Sequence, residues 1–449
     1  MLKKVWSEAK HIVSLCLTVQ NLGILLLVTI IDSFASGFLS PIFAPFLYEK
    51  GIKLAEIGYI FSIAAVLPLF LQPVVGELSD RIGRKFLIVG TSLVSSVLTP
   101  LYIFLNNVWA IGILQAVNIT LERSGTPASS AMLADVAPRE DRATVFAALG
   151  SVNNLAYVGS LFLGGLLLAG LTIAGQTIFL PLPKASMFWL SAILFIIASV
   201  TLTLFLKETA PVTDRKHQQP SPDTLLGKQV RSRAGLFVQV WERGHTMQGL
   251  LLYQLFFSFS LGVYFVFIPL LARELGAPDS WLGPIIAISW LTYAMGQPVG
   301  GRISDRNRQR KRYIVWGLVG MGICNTGIAL SPYLTNGRPA FGPGLALVVM
   351  LIFWALIGIS DSISRPSSSA LVVDIVAPEE RGKVFGILGS SSTLGSILAP
   401  LCYGYLAEHA GLPATFLLAS LSLVITALTV ALLIRDPKRA ETELVQVTA

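Results

Sequence analysis

Apolar residues recur along this chain in blocks of about twenty, the length an α-helix needs to cross a bilayer. Twelve such blocks can be marked, in two sets of six: residues 22–46, 57–75, 86–105, 108–134, 145–171 and 185–206, then 250–271, 281–299, 313–331, 345–373, 384–406 and 414–434. The stretch between the sets, 207–249, breaks the pattern with Lys, Arg, Gln and Pro, as at Arg215, Lys216, Gln218 and Pro220, and reads as a solvated linker. The pattern predicts an all-α membrane protein with twelve transmembrane helices in two six-helix bundles. Its parts are an N-terminal bundle over 1–206, a cytoplasmic linker over 207–249, a C-terminal bundle over 250–434 and a cytoplasmic tail over 435–449.

Composition agrees with this reading. Of 449 residues, 53% are apolar and 13% charged, with a mean hydropathy of +0.70. A soluble protein carries roughly 25% charged residues, so a string of water-soluble domains is excluded. The excess of 33 Lys and Arg over 25 Asp and Glu suggests nucleic-acid binding only until its placement is considered. With both termini in the cytoplasm, 26 of the 33 basic residues fall in tails and inner loops, and five fall outside: Lys50, Lys53, Lys184, Arg273 and Arg338. That bias is the signal that sets orientation, and no nucleic acid is implied. Cys16, Cys324 and Cys402 have no paired spacing, so neither a disulfide framework nor a metal site follows. Lys3, Lys4 and Lys10 precede an apolar run that continues to Phe46 without a small-residue cleavage site. It is expected to be retained as the first span.

The two sets are duplicates. Shifted by 225 residues, 72–81 falls on 297–306 with seven of ten positions identical; shifted by 239, 135–142 falls on 374–381. The matches follow the second and fourth spans of each half, and an even number of spans gives both copies one orientation. This is the parallel, pseudo-symmetric repeat of large secondary transporters. The segment containing Gly76, Leu78, Asp80, Arg81, Gly83, Arg84 and Lys85 resembles the signature between helices 2 and 3 of the major facilitator superfamily, and the likeness covers nearly the whole chain. Asp32 followed by Gly37, Pro41 and Pro45 is similar to the first helix of the twelve-helix drug:proton antiporters, tetracycline exporters included. The sequence departs from that branch twice. Gln115 and Ala116 stand where an arginine is usual in the fourth helix, with Arg123 two turns deeper. Residues 159–165 lack the proline of the antiporter signature, although Ala399, Pro400 and Gly404 keep something like it in the eleventh helix. The resemblance implies the major facilitator fold, a monomer in the plasma (bacterial inner) membrane, a small-molecule substrate and protons as partners, and no cofactor.

Gly76 ends the second span, where a residue without a side chain lets another helix approach. Asp80, Arg81, Arg84 and Lys85 form a charge cluster. The resemblance implies that Asp80 meets the start of the eleventh helix, whose dipole favours an anion, as a latch that exists only while the cytoplasmic side is shut. Asp135 and Asp374 are candidate partners for loop arginines; Gly83, Arg142, Gly301, Asp305, Arg306 and Arg381 complete the two copies of the gating motifs. For Arg306, Arg308, Arg310, Lys311 and Arg312 the simpler reading is topology alone, since Arg308 stands where the first copy has Gly83.

Counted at 1.5 Å per residue, Asp32, Glu122, Arg123, Asp361 and Arg365 share one zone near the bilayer centre, Glu122 and Asp361 being equivalent through the 239-residue shift. Facing lipid, each would cost roughly 2.5–3.5 kcal/mol, so they are expected to face a polar cavity or one another. The resemblance arranges the first, fourth, seventh and tenth helices around such a cavity. Asp361 and Arg365, four apart, can bridge on one helix face, while Glu122 and Arg123 point apart. Three carboxylates against two guanidiniums leave one acid, Asp32 or Glu122, without a basic partner and able to carry a proton. Gln115, Asn118, Asn153 and Asn154 are candidates for lining the cavity or for bonding between helices. His11, His217, His245 and His409 lie outside this zone.

These features suggest a secondary active transporter that exports lipophilic, cationic small molecules in exchange for protons by alternating access. Proton and cargo would compete for the unpaired carboxylate, and each charge moved gains about 2.3 kcal/mol per 100 mV. The absence of a GxxxxGK[ST] loop argues against ATP driving. Two alternatives remain open. One is proton-coupled uptake or exchange of an organic anion or other metabolite held by Arg123 and Arg365. The other is an intramembrane enzyme or receptor-like scaffold, for which no His or Cys cluster is at hand.

Overall fold

The computed structural model describes residues 20–136, 142–173, 176–208, 237–238, 240–242, 244–307, 309–335, 344–376 and 381–434. Most of the predicted linker, the tail over 435–449, and Cys16, His11 and His217 lie outside the described residues. In chain order the helices are α1 Gln20–Leu39, α2 Phe43–Glu49, α3 Leu54–Ile82, α4 Arg84–Leu98, α5 Leu101–Phe104, α6 Val108–Val136, α7 Arg142–Ala169 and α8 Lys184–Phe205. They continue with α9 His245–Glu274, α10 Asp279–Asn307, α11 Arg310–Leu330, α12 Gly344–Ile375, α13 Arg381–Ala410 and α14 Leu412–Leu433.

Every predicted apolar block is mainly helical, with turns at 40–42 and 99–100 interrupting the first and third. Among the described residues, nine helical stretches are long and apolar enough to cross a membrane. The other three blocks form α3, α6 and α10, each of 29 residues, which at 1.5 Å per residue reach about 43 Å. In two of these the apolarity is diluted from within, by Glu122 and Arg123 in α6 and by Gln297 and Arg302 in α10. The all-helical expectation has one exception among the described residues. The block expected over 145–171 stops at Ala169, and β1 Leu171–Ile173 pairs antiparallel with β2 Gln176–Phe179 before α8 begins. Gly170, at φ 72°, ends the helix in the left-handed conformation, and Thr172, Ile173, Thr177 and Ile178 are β-branched residues that favour extended chain.

The chain divides into two compact units. The first is drawn from Met1–Ile52, Ile63–Leu226 and Asp279–Pro284, the second from Lys53–Ser62, Gly227–Pro278 and Ile285–Ala449. In the first unit α1 packs against α7 and α8, and α4 against α6 and α8. In the second, α9 packs against α13 and α14, and α11 against α12 and α14. Under the repeat these are the same pairs, so the duplication seen in two short motifs extends to the helix packing.

Each helix shows where its packed face lies. In α14, Phe416, Ala419, Leu423, Ala427 and Val430 are buried, while Leu417, Leu421, Val424, Leu428 and Leu432 stay exposed, as lipid-facing positions do. Small hydroxyls join helices within the units, as in membrane bundles generally. Ser191 Oγ donates to the carbonyl of Ala35 at 2.8 Å, Ser391 Oγ to that of Leu251 at 2.7 Å and Ser420 Oγ to that of Gly322 at 2.8 Å. Glycines bring backbones closer still. A Cβ on Gly283 would lie 2.1 Å from the carbonyl oxygen of Leu161, and one on Gly58 2.2 Å from that of Pro400.

Candidate functional site

In the first unit α1, α4, α6, α7 and α8 surround a cavity of about 610 Å³ that contains both Asp32 and Glu122. Thr29, Asp32, Ser33 and Ser36 reach it from one face of α1, at the three-and-four spacing of a helical stripe. Thr91, Ser92 and Ser95 from α4 and Ser129 from α6 add hydroxyls, and Asn153 and Tyr157 come from α7. The neutral groups bond among themselves: Ser33 Oγ donates to Asn153 Oδ1 at 2.5 Å, and Tyr157 OH donates to Ser40 Oγ at 2.8 Å.

The two acids are treated differently. Asp32 Oδ1 is buried with no hydrogen-bond partner, and Glu122 is near enough to act on Asp32 electrostatically. Among the described residues no ion pair reaches either carboxylate. Arg123 acts on Glu122 electrostatically, but as its sequence neighbour it leaves the helix in another direction and is not a wall of the cavity; both residues are exposed. The site therefore combines two acids, many hydroxyls and no contacting cation.

The second unit has the opposite balance. Asp361 and Arg365, one turn apart on α12, form a two-pronged pair: Nε donates to Oδ1 at 3.2 Å and Nη2 to Oδ2 at 2.5 Å. Such a fork satisfies both carboxylate oxygens. Both residues line a separate cavity of about 110 Å³ with aromatic walls. The five charges predicted for one zone are thus divided: Asp32 and Glu122 in one cavity, Asp361 and Arg365 in the other, and Arg123 in neither.

Of the predicted amides, Asn153 lines the acidic cavity, Gln115 accepts a hydrogen bond from Tyr102 OH, Asn118 is buried and Asn154 is exposed. In the loop motif, Gly83 has φ 99°, a conformation that favours glycine. A Cβ there would stand 2.7 Å from Glu208 Oε2. That carboxylate accepts from the backbone N–H of Lys85 at 2.9 Å, an anion on the first turn of α4, while Lys85 Nζ donates to the carbonyl of Thr203 at 2.8 Å. Asp374 accepts from Arg310 Nε at 3.1 Å, and Arg310 Nη1 donates to Ser304 Oγ at 3.1 Å, so Arg310 has a defined partner beyond any topological role. Gly76, Asp80 and Arg81 lie in α3, Asp135 in α6, Arg142 in α7, Gly301, Asp305 and Arg306 in α10 and Arg381 in α13. The side chains of Asp80, Arg81, Asp135, Arg142, Asp305, Arg306 and Arg381 lie outside the described residues.

Sequence reasoning missed the cavity hydroxyls and Glu208. The hydroxyls had a signal in the stripe at 29, 33 and 36 on α1; Glu208 had none, since it acts across 123 residues.

A duplicated bundle of membrane-length helices, with polar cavities walled by those helices, defines an integral membrane transporter. The chain belongs to the Major Facilitator Superfamily, whose model matches residues 25–336 and 250–448, and it is accordingly a transporter and not an enzyme. It is 30% identical over 192 residues to Multidrug resistance protein 1 of Bacillus subtilis, covering 42% of this chain and 45% of that protein. It is 27% identical over 175 residues to Multidrug resistance protein MdtG of Escherichia fergusonii, covering 38% and 39%. The matches thus span less than half the length of these multidrug relatives. An uncharacterised transporter of the superfamily from Methanocaldococcus jannaschii is 21% identical, covering 88% of this chain and 92% of its own. Among solved structures, the nucleoside transporter NupG, crystallised as a point mutant, superposes with a TM-score of 0.71 at 14% identity over 92% of this chain and all of that one. A D-xylose–proton symporter gives 0.67 at 14% identity over 93% of this chain and 98% of that one. These likenesses concern the fold.

Proposed function

We propose that this protein is a proton-coupled antiporter that exports lipophilic, cationic small molecules, with its termini on the cytoplasmic side of the plasma membrane and a six-helix bundle in each half. One observation carries the reading: Asp32 and Glu122 share a cavity in which, among the described residues, neither has an ion-pair partner and one oxygen of Asp32 is buried without a hydrogen bond. An uncompensated charge kept from water is expensive; Asp32 has an oxygen sealed from solvent while Glu122 is exposed, so Asp32 above all must be neutralised, either by a proton or by a cationic cargo. The two compete, and competition for one site couples opposite fluxes without ATP. The partial likeness to multidrug resistance proteins supports a drug-like cargo.

The experiment uses everted membrane vesicles with an imposed pH gradient. A lipophilic cationic dye should accumulate when the gradient is present, and Asp32→Asn should reduce that accumulation at least tenfold while membrane-inserted protein stays at the wild-type level. Normal accumulation by the mutant sinks the role of Asp32. Gradient-driven movement of an organic anion instead of the dye would favour the alternative of uptake or exchange, in which Arg365, a wall of the second cavity, would hold the anion.

A further inference from the structure

The proposed exchange uses the first cavity and leaves the aromatic cavity of the second unit without a role, although its chemistry is specific. Tyr264 comes from α9, Trp290 and Tyr293 from α10, and Trp354, Asp361 and Arg365 from α12. Phe265 adds a fifth aromatic wall, and the polar ends of Trp354, Tyr264 and Tyr293 are committed to the protein. Trp354 Nε1 donates to the carbonyl of Ile285 at 2.7 Å, Tyr264 OH accepts from Asn325 Nδ2 at 2.8 Å and Tyr293 OH accepts from Gln297 Nε2 at 2.6 Å. Those bonds hold the rings in place and leave π faces and edges for a guest. Trp290 stands perpendicular to Tyr293, and Tyr264 meets Trp354 edge-on with centroids 4.9 Å apart, arrangements that aromatic rings prefer.

Charge does not select the guest, because Asp361 and Arg365 cancel one another. The guanidinium keeps donors to spare, since only two of its five N–H groups are used on Asp361. It lies 5.1 Å from the centroid of Tyr293, within the range of attraction to a ring face. Size narrows the choice further. An apolar cavity of about 150 Å³ admits one benzene molecule, so about 110 Å³ takes at most one ring and excludes a fused polycycle.

We propose that this cavity is an aryl subsite, which seats one six-membered aromatic ring against Trp290, Tyr293 and Trp354 and offers Arg365 to a hydrogen-bond acceptor on that ring. The subsite deepens the export reading, on which it rests for the identity of the cargo, by naming a portion of the molecule recognised apart from the acidic cavity. Ring binding at equilibrium needs no gradient, so the two ideas fail separately.

The test titrates the purified full chain in detergent with benzamide and with cyclohexanecarboxamide, followed by saturation-transfer NMR. The two share an amide and differ in whether the ring is aromatic. Benzamide is expected to bind at least about fivefold more tightly. Trp290→Leu and Tyr293→Leu should each erase the preference and Trp290→Phe should keep it, which separates ring contact from failure to fold. Arg365→Lys, which keeps the charge but loses the planar fork, should weaken benzamide. Equal affinity for the two amides, or a preference that survives Trp290→Leu and Tyr293→Leu combined, overturns the subsite. In Asp32→Asn the benzamide preference should persist; if that protein still drives dye transport, the export reading falls and the subsite stands.

Discussion

Lys50 illustrates how one residue can hold a turn. Just past α2, its Nζ donates to the carbonyls of Tyr102, Ile103 and Leu105, at 2.9, 2.7 and 2.7 Å. These are among the carbonyls that the short α5 leaves without helical donors, and a cation there also opposes the helix dipole. Lys50→Met removes all three bonds and should cost about 1–2 kcal/mol after allowance for the partial exposure of the site, read as a lower melting temperature in detergent. Burial pushes the Lys50 ammonium below its ordinary value of 10.5. The unfolded chain then holds this proton to higher pH than the folded one, so the ionisation contribution rises only as the pH climbs towards 10.5. Around neutrality it is flat, and the loss in Lys50→Met should be equal at about pH 6 and about pH 8. Residues of this kind were not legible beforehand. A lysine between two apolar blocks looks like any topogenic charge, whereas Asp32, Glu122, Asp361 and Arg365 stood out because an ionisable group inside such a block is costly unless it has work to do.

At the scale of elements, the repeat explains a feature that neither half reveals alone. Gly58 and Gly283 are equivalent through the 225-residue shift. Each sits early in its helix, α3 or α10, and presses on the backbone of another helix, at Pro400 in the second unit and Leu161 in the first. Pro400 and Leu161 are themselves equivalent through the 239-residue shift. The duplication has therefore kept a pair of close crossings even where one partner is proline and the other leucine. Adding a methyl group at either glycine forces backbone to move, so Gly58→Ala and Gly283→Ala should each destabilise the protein by about 1–3 kcal/mol. Gly90, in the middle of α4, has nothing within 4 Å of a built Cβ, and Gly90→Ala should be neutral or stabilising by up to about 1 kcal/mol. Thermal unfolding monitored by size-exclusion chromatography would rank the three, and equal behaviour of all of them would remove the packing argument. The helices themselves were legible from block length. These crossings were not, because a glycine in an apolar run reads alike whether it touches a neighbouring backbone or lipid.

For the whole molecule, the decisive asymmetry lies in how two copies of one design have treated the same carboxyl position. Glu122 and Asp361 are repeat equivalents, yet Asp361 has Arg365 one turn away while the residue in register with Arg365 in the first half is Thr126. Displacing the arginine to position 123 leaves Glu122 without a forked partner and puts a second acid, Asp32, in its cavity. Among the described residues, the first unit therefore holds two acids without an ion-pair partner and the second a paired acid. Removing Arg365 should be harmful, since it strands the buried Asp361 at a cost of up to roughly 3–5 kcal/mol; removing Asp361 leaves a partly exposed cation and should cost less, and removing both should not be harmful. The double variant Asp361→Asn with Arg365→Gln is thus expected to recover most of the stability lost in Arg365→Gln alone and to keep the ratio of dye accumulation with and without a pH gradient, even where affinity for cargo has changed. The corresponding double variant in the first unit, Asp32→Asn with Glu122→Gln, should fold and lose that ratio entirely. Measuring both ratios in the same vesicles assigns the coupling to one unit. A gradient response that disappears with the Asp361–Arg365 pair and survives without Asp32 and Glu122 would move the proton to the other half of the molecule.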